Sequence, residues 1–383
     1  MKPPSPLDVQ ELVDLCIDHL FDDPETLASC SLVARSWVDA AQAKLFCAPH
    51  LTNCEVVSSN RIALKLHKVL STSPHLLRHV RSMFLSQTSL HHTTDAKLAQ
   101  LGSSRLDTLS LQIANTTNNE IHIGSLMRYP NLRRLRCFFP FGFSGCARYM
   151  ENFSSTVEHL DLECFHWELI HFNVPIDSQT VPRIQLKSLY LNLLDKPKQP
   201  QRLWPTALYP FGLGRLKYLG VWRARLIQWD TIPHETNQSI EELQIGIEDT
   251  ELVDLSPLIH LRTLHLILLS PNNVIPPGCR YTIASLTAHH RVDVITLWVG
   301  DLDFEEDDES RQLDLVLSTL PLEPRPTVEF ESSIKKEGRE ESLKRLFPKL
   351  VAQNQFRIVY CSWPVSEIGR RIVLMPYEVR VRL

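Results

Sequence analysis

One arrangement recurs nine times over more than two hundred residues: an apolar side chain, two intervening residues, a second apolar side chain, one intervening residue, and a third. The copies are Val80-Met83-Leu85, Leu106-Leu109-Leu111, Leu132-Leu135-Cys137, Val157-Leu160-Leu162, Leu186-Leu189-Leu191, Leu216-Leu219-Val221, Ile240-Leu243-Ile245, Leu261-Leu264-Leu266 and Val292-Ile295-Leu297. They start 26, 26, 25, 29, 30, 24, 21 and 31 residues apart. A unit of that length cannot enclose a core of its own, so successive units have to stack and bury their leucines together. If each triad lies on a strand, its second and third members share one face, and the residues between and beside them project from the other.

Period and pattern resemble the leucine-rich repeat. The resemblance implies an α/β fold, with one short strand per unit on a curved, mostly parallel sheet and a returning helix or loop on the convex side. An asparagine usually stands three residues past the last leucine and bonds its loop amides into a ladder. Here Ala114, Pro140, Phe165, Leu194, Ala224, Glu248, Leu269 and Gly300 occupy that place. The turns therefore have to be held by other groups. Long irregular loops are expected near 195–210, which holds four prolines, and near 270–281. Beyond residue 300 the character changes: Asp301 to Glu309 holds seven acids, and Leu313, Val316, Leu317 and Leu320 then return at helical spacing. The acids are expected to precede or cap that helix. A strand over 327–331, an amphipathic helix over 340–352 and a strand over 356–361 are expected to close the end of the solenoid.

The first fifty residues read differently. Leu12, Leu15, Cys16 and His19 fall on one side of a helix, and Val13, Ile17 and Leu20 form an adjoining stripe. One stripe can pack internally while the other faces a partner. Asp22 or Asp23 before Pro24 and Glu25 supplies a capped helix start, so a helix-turn-helix pair is expected. A segment of about 45 residues hardly encloses a core, so it has to pack on a partner or on the rest of the chain. Glu11-Leu12, followed by Leu27, Cys30, Leu32, Val33, Arg35 and Trp37, resembles an F-box, a helical module that docks on a Skp-type adaptor. Val9 and Gln10 stand where that motif has prolines, and Ala34 where it has a second cysteine. The resemblance implies adaptor contact through Leu7, Leu12, Leu15, Cys16, Leu32, Val33 and Trp37. It also implies a helical domain over 1–50 and a repeat domain over 51–383, with a closing segment from about 301. Helices, repeats and ending together resemble the large F-box family of mushroom-forming fungi.

Other function classes find little support in the residues. The chain has 383 residues and is 43% apolar, enough for a large core or two domains, and no run of apolar residues is long enough to span a membrane. Met1-Lys2-Pro3-Pro4 lacks the apolar stretch of a signal peptide, so cytoplasm or nucleus is the expected location. The nine cysteines are never spaced Cys-x-x-Cys and mostly sit in apolar patterns, which points to reduced, buried thiols. Net charge is −4, and residues 1–50 hold eight acids against Lys2, Arg35 and Lys44, so neither part reads as a nucleic-acid binder. No phosphate loop, dinucleotide fingerprint or Gly-x-Ser-x-Gly is present. The pairs His91-His92 and His289-His290 lack a third ligand nearby and read as exposed loop histidines. Neither a metal, a cofactor nor catalysis is expected in this chain.

What the pattern does locate is a binding face. Arginine and large aromatics dominate interface energetics, and Arg134, Arg136, Phe138, Tyr190, Tyr218 and Trp222 all fall at positions that project from the concave side. Arg134 and Arg136 point the same way and together suit an acidic or phosphorylated segment. The aromatics either offer contact area or pack beneath loops folded over the sheet. By resemblance, the chain reads as the substrate-recognition subunit of a Skp-cullin-F-box ubiquitin ligase, holding an adaptor, and through it a cullin, at one end and a protein substrate on the repeats. The alternative is a ligase-independent interaction scaffold whose N-terminal helices cap the solenoid.

Overall fold

Every triad member whose side chain is described is buried, with exposures of 0–4%, Leu85 lying outside that set. The computed structural model describes residues 10–20, 23–47, 50–51, 65–87, 105–113, 130–139, 154–164, 184–193, 211–223, 232, 234–248, 252–269, 274–299, 306–332, 335 and 338–360. These fall in two compact units, one holding the described residues 10–164 and the other 184–360.

The first unit begins with three helices, α1 (Gln10–Asp18), α2 (Pro24–Val33) and α3 (Arg35–Phe46). Asp23 caps α2 by accepting from the Thr26 amide at 3.0 Å, and Pro24 sits in the first turn, where a missing donor costs nothing. The expected pair is thus a trio. Ala34 is extended (φ −153°, ψ 155°), which ends α2 and lets α3 fold back. Ala41 and Leu45 of α3 then join Val13, Ile17, Leu27 and Cys30 in one buried cluster, with Leu20 and Trp37 packed on it. After β1 (His50–Leu51), a helix over 65–72 and a 3-10 turn (Pro74–His79) come β2 (Ser82–Gln87), β3 (Thr108–Ile113), β4 (Arg134–Phe139) and β5 (His159–Cys164). Each strand pairs parallel with the next, and the triads meet in register as Met83↔Leu109↔Leu135↔Leu160.

The second unit repeats this arrangement. Its main sheet runs β7 (Ser188–Leu193), β9 (Tyr218–Val221), β10 (Glu242–Ile247), β11 (Thr263–Leu268), β12 (Val294–Trp298), β13 (Thr327–Ser332) and β14 (Phe356–Tyr360), all parallel. Leu189, Leu219, Leu243, Leu264, Ile295, Val328 and Phe356 form one row across it. A side ladder joins β6 (Ile184–Gln185) to β8 (Phe211–Gly212). Helices α5 (His234–Ser239), α6 (Pro277–Ala284), α7 (Asp308–Ser318), α8 (Arg339–Leu346) and α9 (Pro348–Ala352) lie in the connections, α4 being the 65–72 helix of the first unit. The fold of each unit is α/β, built of parallel one-strand repeats, which in the first unit follow the N-terminal helices.

Three expectations about the second unit need correction. The segment near 270–281 is not all loop, because Pro277 opens α6 at a position that needs no donor. The helix expected over 340–352 is two helices, because Pro348 cannot continue α8. Its break is stabilised by Asp314 of α7, whose buried carboxylate accepts from the Lys349 and Leu350 amides at 3.1 and 3.2 Å. His290 is buried rather than exposed, while His289 is exposed. The His290 Nδ1 accepts from the Thr287 amide at 3.0 Å and its Nε2–H donates to the Leu255 carbonyl at 3.0 Å, which ties two connecting segments together.

The acids before α7 do cap it: Asp307 accepts from the Ser310 amide at 2.7 Å, and the Ser310 hydroxyl accepts from the Asp307 amide at 3.2 Å. In place of an asparagine ladder, hydroxyls just before a triad donate to the preceding repeat. Thr156 donates to the Leu132 carbonyl and Ser239 to the Leu216 carbonyl, each at 2.8 Å, from equivalent positions in different units.

Burial of the row predicts its energetics. Leu160→Ala and Leu264→Ala, both at fully buried sites, should each cost on the order of 2 to 5 kcal/mol in chemical denaturation. Leu252→Ala, at a side chain 60% exposed, should stay within about 0.5 kcal/mol.

Candidate functional site

The sharpest surface feature is apolar and belongs to the N-terminal helices. Val13 and Ile17 of α1 point into the helical core, which leaves the adjoining stripe outside: Leu12 is 45% and Leu15 57% exposed, and Cys16 is exposed beside them. On α2, Leu32 and Val33 are 86% and 71% exposed. Their position is a consequence of Ala34, since a continuous helix would carry the following residues away instead of folding α3 back. Trp37 differs from its companions in the motif, being partly buried on the core that Val13, Leu27 and Leu45 form. Leu7 lies outside the described residues.

In the first unit, the face opposite the leucines carries Arg134 and Arg136 on β4. Arg136 is 8% exposed, and its guanidinium is directed at β5: Nε lies 3.2 Å from the Asp161 carboxylate, and the side chain reaches Glu163 at 3.9 Å. Asp161 is fully buried and sits beside Arg136 in the sheet register. The pair is therefore internal. Its negative member adds to the effect of burial in pushing the thiol of the neighbouring Cys137 far above its ordinary range. Arg134 is half-buried one pleat earlier, so the two arginines do not present a shared fork to solvent. The Phe138 backbone belongs to β4, and its side chain lies outside the described residues.

The aromatics of the second unit are mostly inside. Tyr190 and Tyr218 are 3% and 5% exposed, and the Tyr218 hydroxyl donates to the Gln244 side-chain carbonyl at 3.1 Å. Gly220 lies between them, and any Cβ there would collide with both tyrosine rings. Trp222 is half-buried against Ile267, Trp298 and Leu269. On this face the packing reading applies to Tyr190 and Tyr218, and Trp222 offers one partly accessible edge. Cys279 is likewise buried, its thiol pushed up to about 12 by desolvation, whereas Cys16 is accessible.

Two features escaped the sequence reading. One is the Asp161 partner of Arg136, which becomes legible once the triads are aligned, because both residues fall midway between the second and third triad members. The other is the charge on the rim where strands begin, which no single repeat displays. Among the described residues, no cluster of His, Cys, Asp and Glu is arranged to hold a metal, and no helix is long and apolar enough to cross a membrane.

No family model and no curated protein matches the chain. Among solved structures, it is similar to the leucine-rich-repeat-containing protein LegL7 from Legionella pneumophila, at 12% identity and a TM-score of 0.43 over 74% of this chain and 94% of that one. It is also similar to a leucine-rich-repeat protein from Leptospira interrogans, at 13% identity and a TM-score of 0.27 over 75% of this chain and 73% of that one.

The internal ion pair predicts an asymmetric mutational response. Arg136→Met should destabilise the first unit by about 3 to 5 kcal/mol, because it strands a buried carboxylate. Adding Asp161→Leu should recover most of that loss, and Arg134→Met alone should change little, all read as shifts in the denaturation midpoint.

Proposed function

We propose that this chain is the substrate-recognition subunit of a Skp-cullin-F-box type ubiquitin ligase, with the adaptor on the N-terminal helices and a protein substrate on the repeats. One observation carries the reading: Leu12, Leu15, Leu32 and Val33 are all exposed on the short helical module whose sequence resembles the F-box. Large apolar side chains exposed to this degree on a small module mark an interaction surface. In this role the chain tethers and does no chemistry. It raises the effective concentration of substrate near the ubiquitin-loaded enzyme, which calls for a stiff scaffold and not for a reactive side chain.

A specific observation also favours the second reading, a ligase-independent scaffold capped by its helices. The carbonyl of Cys47, at the end of α3, accepts from the Arg81 and Ser82 amides at 2.9 and 2.8 Å, as the residue before a strand does in the later repeats. Asp39 of α3 pairs with Arg78 and lies 3.3 Å from the His79 ring. These contacts support capping by α3, through Asp39 on the 3-10 turn and Cys47 at strand entry, and they leave Leu12, Leu15, Leu32 and Val33 exposed. Capping and docking use different groups of one module.

Co-expression with a Skp-type adaptor should yield a complex that survives size exclusion. Leu12→Asp with Leu32→Asp should abolish it, since truncating a desolvated anchor typically costs about 2 kcal/mol or more. In the complex, peptide mapping after alkylation should show Cys16 protected while it reacts freely in the isolated chain. Separate elution of the wild-type pair at micromolar concentration would remove the ligase reading and leave the scaffold.

A further inference from the structure

Strand entry in the second unit brings together charges that lie far apart in sequence. The residue before each strand and the residue two positions earlier flank a buried apolar side chain, so both project from the rim. Across β7, β9, β10, β11 and β12 the nearer row reads Lys187, Lys217, Glu241, Arg262 and Asp293, and the farther row reads Gln185, Arg215, Ser239, His260 and Arg291. Five Lys and Arg side chains stand there against two carboxylates, and all five are exposed. The corresponding rows of the first unit read Arg81, Asp107, Arg133 and Glu158, and His79, Arg105, Asn131 and Thr156, with three arginines against two carboxylates.

The rows are physically continuous. The Lys217 carbonyl accepts from the Glu241 and Glu242 amides at 2.9 and 3.0 Å, and the Arg262 carbonyl accepts from the Asp293 amide at 2.7 Å. Glu241 pairs with Lys217. Its carboxyl is held below the ordinary value first by that hydrogen bond, against some desolvation, and further by the charges of Lys217, Arg262 and His260. One carboxylate thus already occupies this field, and more cation surrounds it than it can neutralise.

We infer that this rim docks an acidic peptide segment of a protein partner, with Arg215, Lys217, Arg262 and Arg291 as its cationic contacts. Naming that partner a ligase substrate rests on the reading proposed above; the docking itself does not. Parallel strands lie about 4.8 Å apart, so β9 to β12 span about 14 Å, the length of roughly four extended residues. A duplex presents a phosphate about every 1.7 Å of axis, and the interleaved Glu241 and Asp293 oppose so dense a charge. An acidic peptide fits the rim better than nucleic acid does.

The test uses the full chain and a fluorescein-labelled peptide of eight glutamates, read by anisotropy at low and at physiological salt. Wild type should bind, more weakly as salt rises. Lys217→Glu with Arg262→Glu and Arg291→Glu should weaken binding about tenfold or more, since each exposed pair is worth up to about 1 kcal/mol. A control with the same change in charge at exposed positions outside these two rows, Lys65→Glu with Lys68→Glu and Arg345→Glu, should bind like wild type, and circular dichroism should show both variants folded. Absence of peptide binding, an equal loss in the control, or tighter binding of a labelled DNA duplex in place of the peptide would each overturn the proposal. None of these readouts involves the adaptor, so failure here and failure of adaptor binding are separate results.

Discussion

The structure depends on parallel register. Within each compact unit, every repeat presents its second triad residue to the same residue of its neighbour, Leu109 to Leu135 and Leu160 in one, Leu219 to Leu243 and Leu264 in the other. Side chains alternate along a strand, so a slip of one residue would turn the whole row from the core toward the opposite face. What fixes the phase is a backbone device at strand entry, a carbonyl shared by two amides of the next repeat, seen at Cys47, Arg81, Asp107, Arg133, Lys187, Lys217, Glu241 and Arg262. The device needs no particular side chain, and that is why the units tolerate starts 21 to 31 residues apart.

Freed from a conserved turn residue, each connection is held by whatever polar group lies near it. Thr156 and Ser239 reach back to the previous repeat, His290 bridges Thr287 and Leu255, and Asp314 caps α9. All of these pair otherwise orphaned backbone groups with side chains, which is the general requirement for burying irregular chain. The same logic governs the face opposite the leucines. Arg136 lies inside because Asp161 and Glu163 lie beside it, and the tyrosines lie inside because Gly220 leaves room for their rings. The contacts proposed above fall on side chains this packing leaves exposed: Leu12, Leu15, Leu32 and Val33 of α1 and α2, and the charged rim.

Much of the fold was legible in the chain itself. The nine triads specified strands, their parallel stacking and the buried row, because period-two alternation and a repeat too small to stand alone admit few other arrangements. The stripe division of the first helix was legible too: Val13 and Ile17 face in, Leu12, Leu15 and Cys16 face out. The candidate surfaces were less so. That Arg136 would spend its charge on Asp161, that Tyr190 and Tyr218 would be covered, and that Ala34 would leave the helix and expose Leu32 and Val33 all depend on neighbours supplied by other strands or helices. Local pattern sets which face a side chain takes; only tertiary contact decides whether that face stays open, because exposure and charge pairing belong to pairs of residues brought together by the stack and not to either residue alone.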